Sequence, residues 1–140
     1  MSGVALFERV VVFGAGLIGG SFALALKAAG QVGEVVGFGR TLGSLNQALR
    51  LGILDRVGFN IGQEVYAADL VLIAAPVGMS GEIMARIAPC IGPQTVVTDA
   101  GSTKEDVVAA AREHFGERIG QFVPAHPIAG AENRDRKSVV

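Results

Sequence analysis

One stretch constrains this chain more than any other: Gly14-Ala15-Gly16-Leu17-Ile18-Gly19. It follows the apolar run Val10-Val11-Val12-Phe13 directly and opens a segment with helical periodicity. Strand, glycine turn and helix together give a dinucleotide-binding fingerprint its physical meaning. Gly14 permits the tight turn out of the strand. Gly16, without a side chain, lets a pyrophosphate approach the backbone. Gly19 lets the helix pack close to the sheet. The helix start, with Ala15, Leu17 and Ile18, offers unpaired N–H groups and the positive end of its dipole to phosphate.

Half of the 140 residues are hydrophobic and 20 are glycine, as suits one α/β domain with many tight strand–helix turns. The formal net charge of −1 and the lack of a basic block before the tail argue against nucleic acid. A single cysteine, Cys90, excludes an internal disulfide and fits a reducing, cytoplasmic setting. It reads as a small packing residue. Val10 to Leu26 carries no charge, which on hydropathy alone resembles a signal peptide or a membrane helix. Glycines at 14, 16, 19 and 20 would weaken such a helix, so neither a targeting segment nor a membrane span is expected.

Strands and helices alternate along the chain, which predicts a Rossmann-type, doubly wound parallel sheet in a single domain. Strands are expected near 9–13, 34–38, 53–57, 69–75, 95–98 and 121–125. Helices are expected near 17–29, 42–51, 81–88 and 102–115, with a short linking turn or helix near 62–68. Ile18, Phe22, Ala25 and Ala29 read as the buried face of the first helix, and Leu42, Leu45, Ala48 and Leu49 as that of the second. Gly30, Gly52 and Gly116 read as stops. The dinucleotide-binding domain is expected to span 1–132, with 133–140 as a charged tail or truncation point. No metal site is expected.

Candidate chemistry gathers where the strands end, since ligands of an open parallel sheet lie beyond its carboxyl edge. An acid at the end of the second strand grips the ribose 2′-hydroxyl of NAD; here Gly39 occupies that place and Arg40 follows. Arg40 is either an exposed loop arginine or the partner of a 2′-phosphate, with Thr41 and Ser44 adding hydroxyls. The second reading favours NADP over NAD. Ala74-Ala75-Pro76 closes a strand; Ala75 and Pro76 read either as a plain strand terminator or as part of a small-residue wall against the cofactor. Asp99 reads as a turn residue, and Ser102 with Glu105 has the spacing of a capping box. Lys104 opposes the helix dipole and gains if an anion binds there. His126, fixed by Pro127 at the end of an apolar strand, suits a base that accepts a proton from a hydroxyl under oxidation. His114, in a last helical turn beside Arg112, reads as surface.

The glycine turn through Gly20-Ser21, the segment Asp99-Ala100-Gly101-Ser102-Thr103-Lys104 and the segment His126-Pro127-Ile128-Ala129-Gly130 with Glu132 resemble the prephenate/arogenate dehydrogenase family of tyrosine biosynthesis. The last two motifs, in this order and spacing, carry most of the specificity. The resemblance implies oxidative decarboxylation of prephenate or arogenate with NAD(P)+. His126 would take the hydroxyl proton and Ser102 would orient it. Lys104 would act by charge near the substrate, and Glu132 would lie near the site entrance. Family members usually continue Xaa-Ser-Gly after the acid, where this chain reads Asn133-Arg134-Asp135. They also carry a second, helical domain that makes a homodimer and supplies an arginine for the substrate carboxylate. The end at Val140 leaves that domain out, so the chain is expected to be the cofactor-binding part of a longer enzyme or a truncated product. Two other readings stand beside this one: a dehydrogenase of the β-hydroxyacid or imine-reductase type, and a non-catalytic nucleotide-binding module.

Overall fold

The computed structural model describes residues 7–14, 17–39, 41–74, 79–99 and 104–123; of 17–19 and 104–107 it describes the backbone only. Five strands form one parallel sheet: β1 (Phe7–Phe13), β2 (Val32–Phe38), β3 (Arg56–Val57), β4 (Leu70–Ile73) and β5 (Val96–Asp99). Their order is β3-β2-β1-β4-β5. The order reverses between β1 and β4, where an open α/β sheet leaves its ligand crevice. Register is continuous there, from Val10 opposite Leu70 to Phe13 opposite Ile73.

Alternation in β1 splits the core in two. Val10 and Val12 pack with Val35, Leu70 and Leu72 beneath α1 (Leu17–Ala28) and α2 (Leu42–Arg50). Val11 and Phe13 pack with Val36, Val71 and Val97 beneath α3 (Ile61–Ala67), α4 (Ser80–Ile87) and α5 (Lys104–Phe115). All four residues of β4 are buried, which explains its unbroken apolar run.

The element order follows the sequence pattern, with four differences. The buried face of α1 runs through Gly20 and Ala23, flanked by Phe22 and Leu26, while Ala25 and Ala29 are exposed. Every position of α1 is small or apolar up to Leu26, so periodicity alone does not choose the face. Leu42 is 69% exposed because it opens α2, beyond the edge of the core. β3 is two residues long; Ile53 and Leu54 precede it as buried loop residues. Gln121 closes a 3-10 turn over Gly116–Gln121, and Phe122 forms a single parallel bridge with Val97. Residues 124–125 of the expected last strand lie outside the described residues. No helix among the described residues is long and apolar enough to cross a membrane.

An ionic network spans the sheet on the α3 face. Arg56 Nε donates to Glu34 (2.8 Å), and its terminal nitrogens donate to both oxygens of Glu64 (2.6 and 2.9 Å). Arg9 Nε adds a bond to Glu34 at 3.0 Å. Arg9 precedes the end of β1 by four positions, roughly 13 Å along a strand, so the network lies away from the ligand edge. The Arg56 hydrogen bonds hold both glutamates below their ordinary carboxylate range. A lowered folded value stabilises the fold above the unfolded value and is lost as pH falls through the folded one. Arg56→Met leaves Glu64, 6% exposed, without its fork, and should cost about 1–3 kcal/mol at neutral pH. Urea denaturation should show that difference shrinking as pH drops below about 4.3, where glutamates protonate. An equal difference at acid and neutral pH would contradict this role.

Candidate cofactor and substrate site

The first connection leaves β1 through Gly14, whose φ of +88° suits glycine and strains a side chain bearing a Cβ. Its N–H donates to the Phe38 carbonyl at 2.9 Å, so the turn departs from a fully paired strand end. The backbone re-enters helix at Leu17, which puts Leu17, Ile18 and Gly19 in the first turn of α1. Ala15 and Gly16 lie outside the described residues. A twelve-residue helix thus begins directly beyond the carboxyl end of β1. Its free N–H groups and dipole favour an anion at that place.

The second connection leaves β2 through Gly39. Thr41 caps α2: its Oγ1 accepts from the Ser44 N–H at 3.2 Å, and the two hydroxyl oxygens lie 2.8 Å apart. Both residues are exposed. The cap accounts for Thr41 as a folding residue and also sets a pair of hydroxyls at the ligand edge. Arg40, between Gly39 and this cap, lies outside the described residues.

The third and fourth connections leave β4 and β5. Ala74 N–H donates to the Phe13 carbonyl at 2.8 Å, which carries the β1–β4 ladder to its end. Ala75 and Pro76 lie outside the described residues. Asp99 is the last residue of β5, 4% exposed, and accepts a hydrogen bond from Ser80 Oγ at 2.6 Å. Sequence reasoning missed this pair, whose members lie nineteen positions apart. Lys104 opens α5, as its place after the expected cap implies, and Ser102 lies outside the described residues. Val123 N–H donates to the Val97 carbonyl at 2.8 Å, so the chain runs parallel to β5 as it leaves toward His126. His126 and Glu132 lie outside the described residues. His114 stands in the last turn of α5, half-buried rather than fully exposed. Cys90 packs in the turn after α4, its Sγ 3.7 Å from the Arg86 carbonyl. The described residues include no cluster of three or more metal-ligating side chains.

The sequence of the whole region decides the family. The family model for the prephenate dehydrogenase nucleotide-binding domain matches residues 22–138. The chain belongs to this family. The match begins beyond Gly19, so membership does not rest on the glycine turn. A cyclohexadienyl dehydrogenase of Zymomonas mobilis is 34% identical over 128 residues, covering 91% of this chain and 43% of its own. A prephenate dehydrogenase of Bacillus subtilis is 34% identical over 125 residues, covering 89% and 33%. The crystal structure of a prephenate dehydrogenase from Aquifex aeolicus, in complex with hydroxyphenyl propionate and NAD+, superposes with a TM-score of 0.76 at 32% identity. It covers 90% of this chain and 43% of that one. The chain therefore spans less than half the length of these relatives.

Proposed function

We propose that this chain is the NAD(P)-binding part of an enzyme that oxidatively decarboxylates prephenate or arogenate to 4-hydroxyphenylpyruvate or tyrosine. The observation that carries the reading is the family match over 22–138, joined to a β1 turn that fits a dinucleotide. Gly14 at φ +88° leaves the carboxyl edge without a side chain, and α1 starts three positions later. Gly14, Ala15, Gly16, Leu17, Ile18 and Gly19 hold the pyrophosphate, with Ala75 and Pro76 as the facing wall. When bound, the nicotinamide supplies a hydride acceptor for the ring carbon that bears the hydroxyl. His126 takes the hydroxyl proton. Ser102 hydrogen-bonds His126 and keeps its accepting nitrogen aimed. Lys104 lends positive charge beside the anionic substrate, and Glu132 stands at the entrance. The electron pair of the ring–carboxylate bond enters the ring as CO2 leaves, the oxygen takes the proton back from His126, and the ring becomes an aromatic phenol.

The domain occupies 1–132 and the tail 133–140. The whole protein is a cytoplasmic homodimer, and its partner is the small-molecule substrate. NADP is the preferred cofactor. Gly39 removes the acid that would repel a 2′-phosphate, and a Cβ at Gly39 would lie 3.1 Å from Leu45 Cδ2, so an acid there presses on a buried side chain. Arg40, Thr41 and Ser44 then bind the phosphate. Losing the Arg40 contact should cost about 1.5–3 kcal/mol, or roughly ten- to a hundredfold in NADP+ affinity. Titration of NADP+ and NAD+ against wild type and Arg40→Ala tests this. Equal wild-type affinity for both cofactors, or a variant that keeps its preference, would overturn it.

A further inference from the structure

Phe59 is 93% exposed, more than any other large apolar side chain among the described residues. A phenyl ring in water adds almost nothing to the core. Its backbone is nevertheless held from several sides. The Phe59 N–H donates to Glu64 Oε2 at 3.3 Å. Before it, the Gly58 N–H donates to the Gly37 carbonyl at 2.8 Å. After it, Asn60 caps α3 by accepting from the Gln63 N–H at 3.0 Å. The fold thus presents an exposed aromatic ring from a well-tied stretch of chain.

That stretch lies at the carboxyl edge of the sheet. Gly37 stands opposite Val57 in the β2–β3 register, and the Gly58 bond continues the ladder one residue past β3. Phe59 follows Val57 by two positions, as Gly39 follows Gly37, and neighbouring strands lie about 4.8 Å apart. The surface beside it is aromatic too. Phe38, half-buried at the end of β2, stacks on Phe13 with ring centroids 5.2 Å apart. A Cβ at Gly58 would collide with the Phe38 ring, so glycine lets that ring lie against the exit of β3. A dinucleotide along this edge, with its pyrophosphate over β1 and its adenosine ribose over the end of β2, turns its base toward this aromatic surface.

We propose that Phe59 is a cofactor-binding residue that stacks on the purine base of the dinucleotide. This role rests on the reading that places the cofactor along the carboxyl edge. The test titrates the full-length enzyme with NADP+ and with NAD+. Phe59→Ala should weaken both by the same factor, roughly five- to a hundredfold, the worth of one base–aromatic stack. Phe59→Tyr, which keeps the ring, should bind both like wild type. Urea unfolding of Phe59→Ala should match wild type, because the ring is exposed. Wild-type affinity for both cofactors in Phe59→Ala would overturn the role. A loss confined to NADP+ would overturn it as well, since that would assign Phe59 to the 2′-phosphate and not to the base. A wild-type enzyme that binds neither cofactor would overturn the underlying reading instead.

Discussion

In the full-length enzyme, the proposed role of His126 as base predicts that His126→Asn will lower kcat by roughly 10²–10⁴-fold, the usual range for a general base. Asparagine matches much of the size and polarity of histidine but does not take up the proton. The hydroxyl must lose that proton as its carbon loses hydride, so the barrier rises at the chemical step. Cofactor affinity should change little, because on the proposed reading the pyrophosphate, in the middle of the dinucleotide, is held over Gly14 to Gly19 and not at the nicotinamide. In the wild type, kcat/KM falls as acid protonates the imidazole, since a protonated ring accepts nothing. The variant loses that limb. Ser102→Ala should have a smaller effect, because in the proposed mechanism the serine orients the base and does not carry the proton. A histidine with a purely structural role behaves differently: His126→Asn then lowers stability while each folded site turns over normally.

Gly16→Val should abolish cofactor binding and leave the domain folded. On the proposed reading, the isopropyl group would take the space through which a pyrophosphate reaches the backbone. Losing several charge-assisted hydrogen bonds, each about 1.5–3 kcal/mol, removes measurable affinity. The fold survives because the buried side chains of both core layers come from elsewhere in the chain. Circular dichroism reports the retained helix and strand content, and calorimetric titration reports the lost binding. A folded Gly16→Val protein with wild-type affinity would remove the basis for placing the cofactor at this turn.

Local signals made most of the fold legible. The runs Val10-Val11-Val12-Phe13 and Leu70-Val71-Leu72-Ile73 mark strands covered on both faces, and both lie at the centre of the sheet. Gly30, Gly52 and Gly116 mark helix ends, and all three have positive φ. Non-local features were not legible. Arg9, Glu34, Arg56 and Glu64 meet only because four elements converge, and no sequence spacing announces that meeting. The face of α1 was misjudged because small and apolar residues surround the whole helix. Gln121 read as strand because it adjoins Phe122-Val123, yet the preceding 3-10 turn claims it. Within the site, Gly14, Thr41, Ser44 and Lys104 stand at the strand ends or helix starts where the sequence placed them. Ala15, Gly16, Arg40, Ala75, Pro76, Ser102, His126 and Glu132 lie outside the described residues. Asp99 accepts a hydrogen bond from Ser80, nineteen positions away on another element, and no local spacing announces that pair.

The central claim is that this domain serves the oxidative decarboxylation of a ring that becomes aromatic. The most direct measurement incubates the full-length enzyme with prephenate or arogenate and NADP+ or NAD+, and follows reduced cofactor and CO2 together. The predicted result is equal amounts of both products with at least one substrate, and faster turnover with NADP+. An enzyme that binds the cofactor but yields neither reduced cofactor nor CO2 from either substrate would contradict the account.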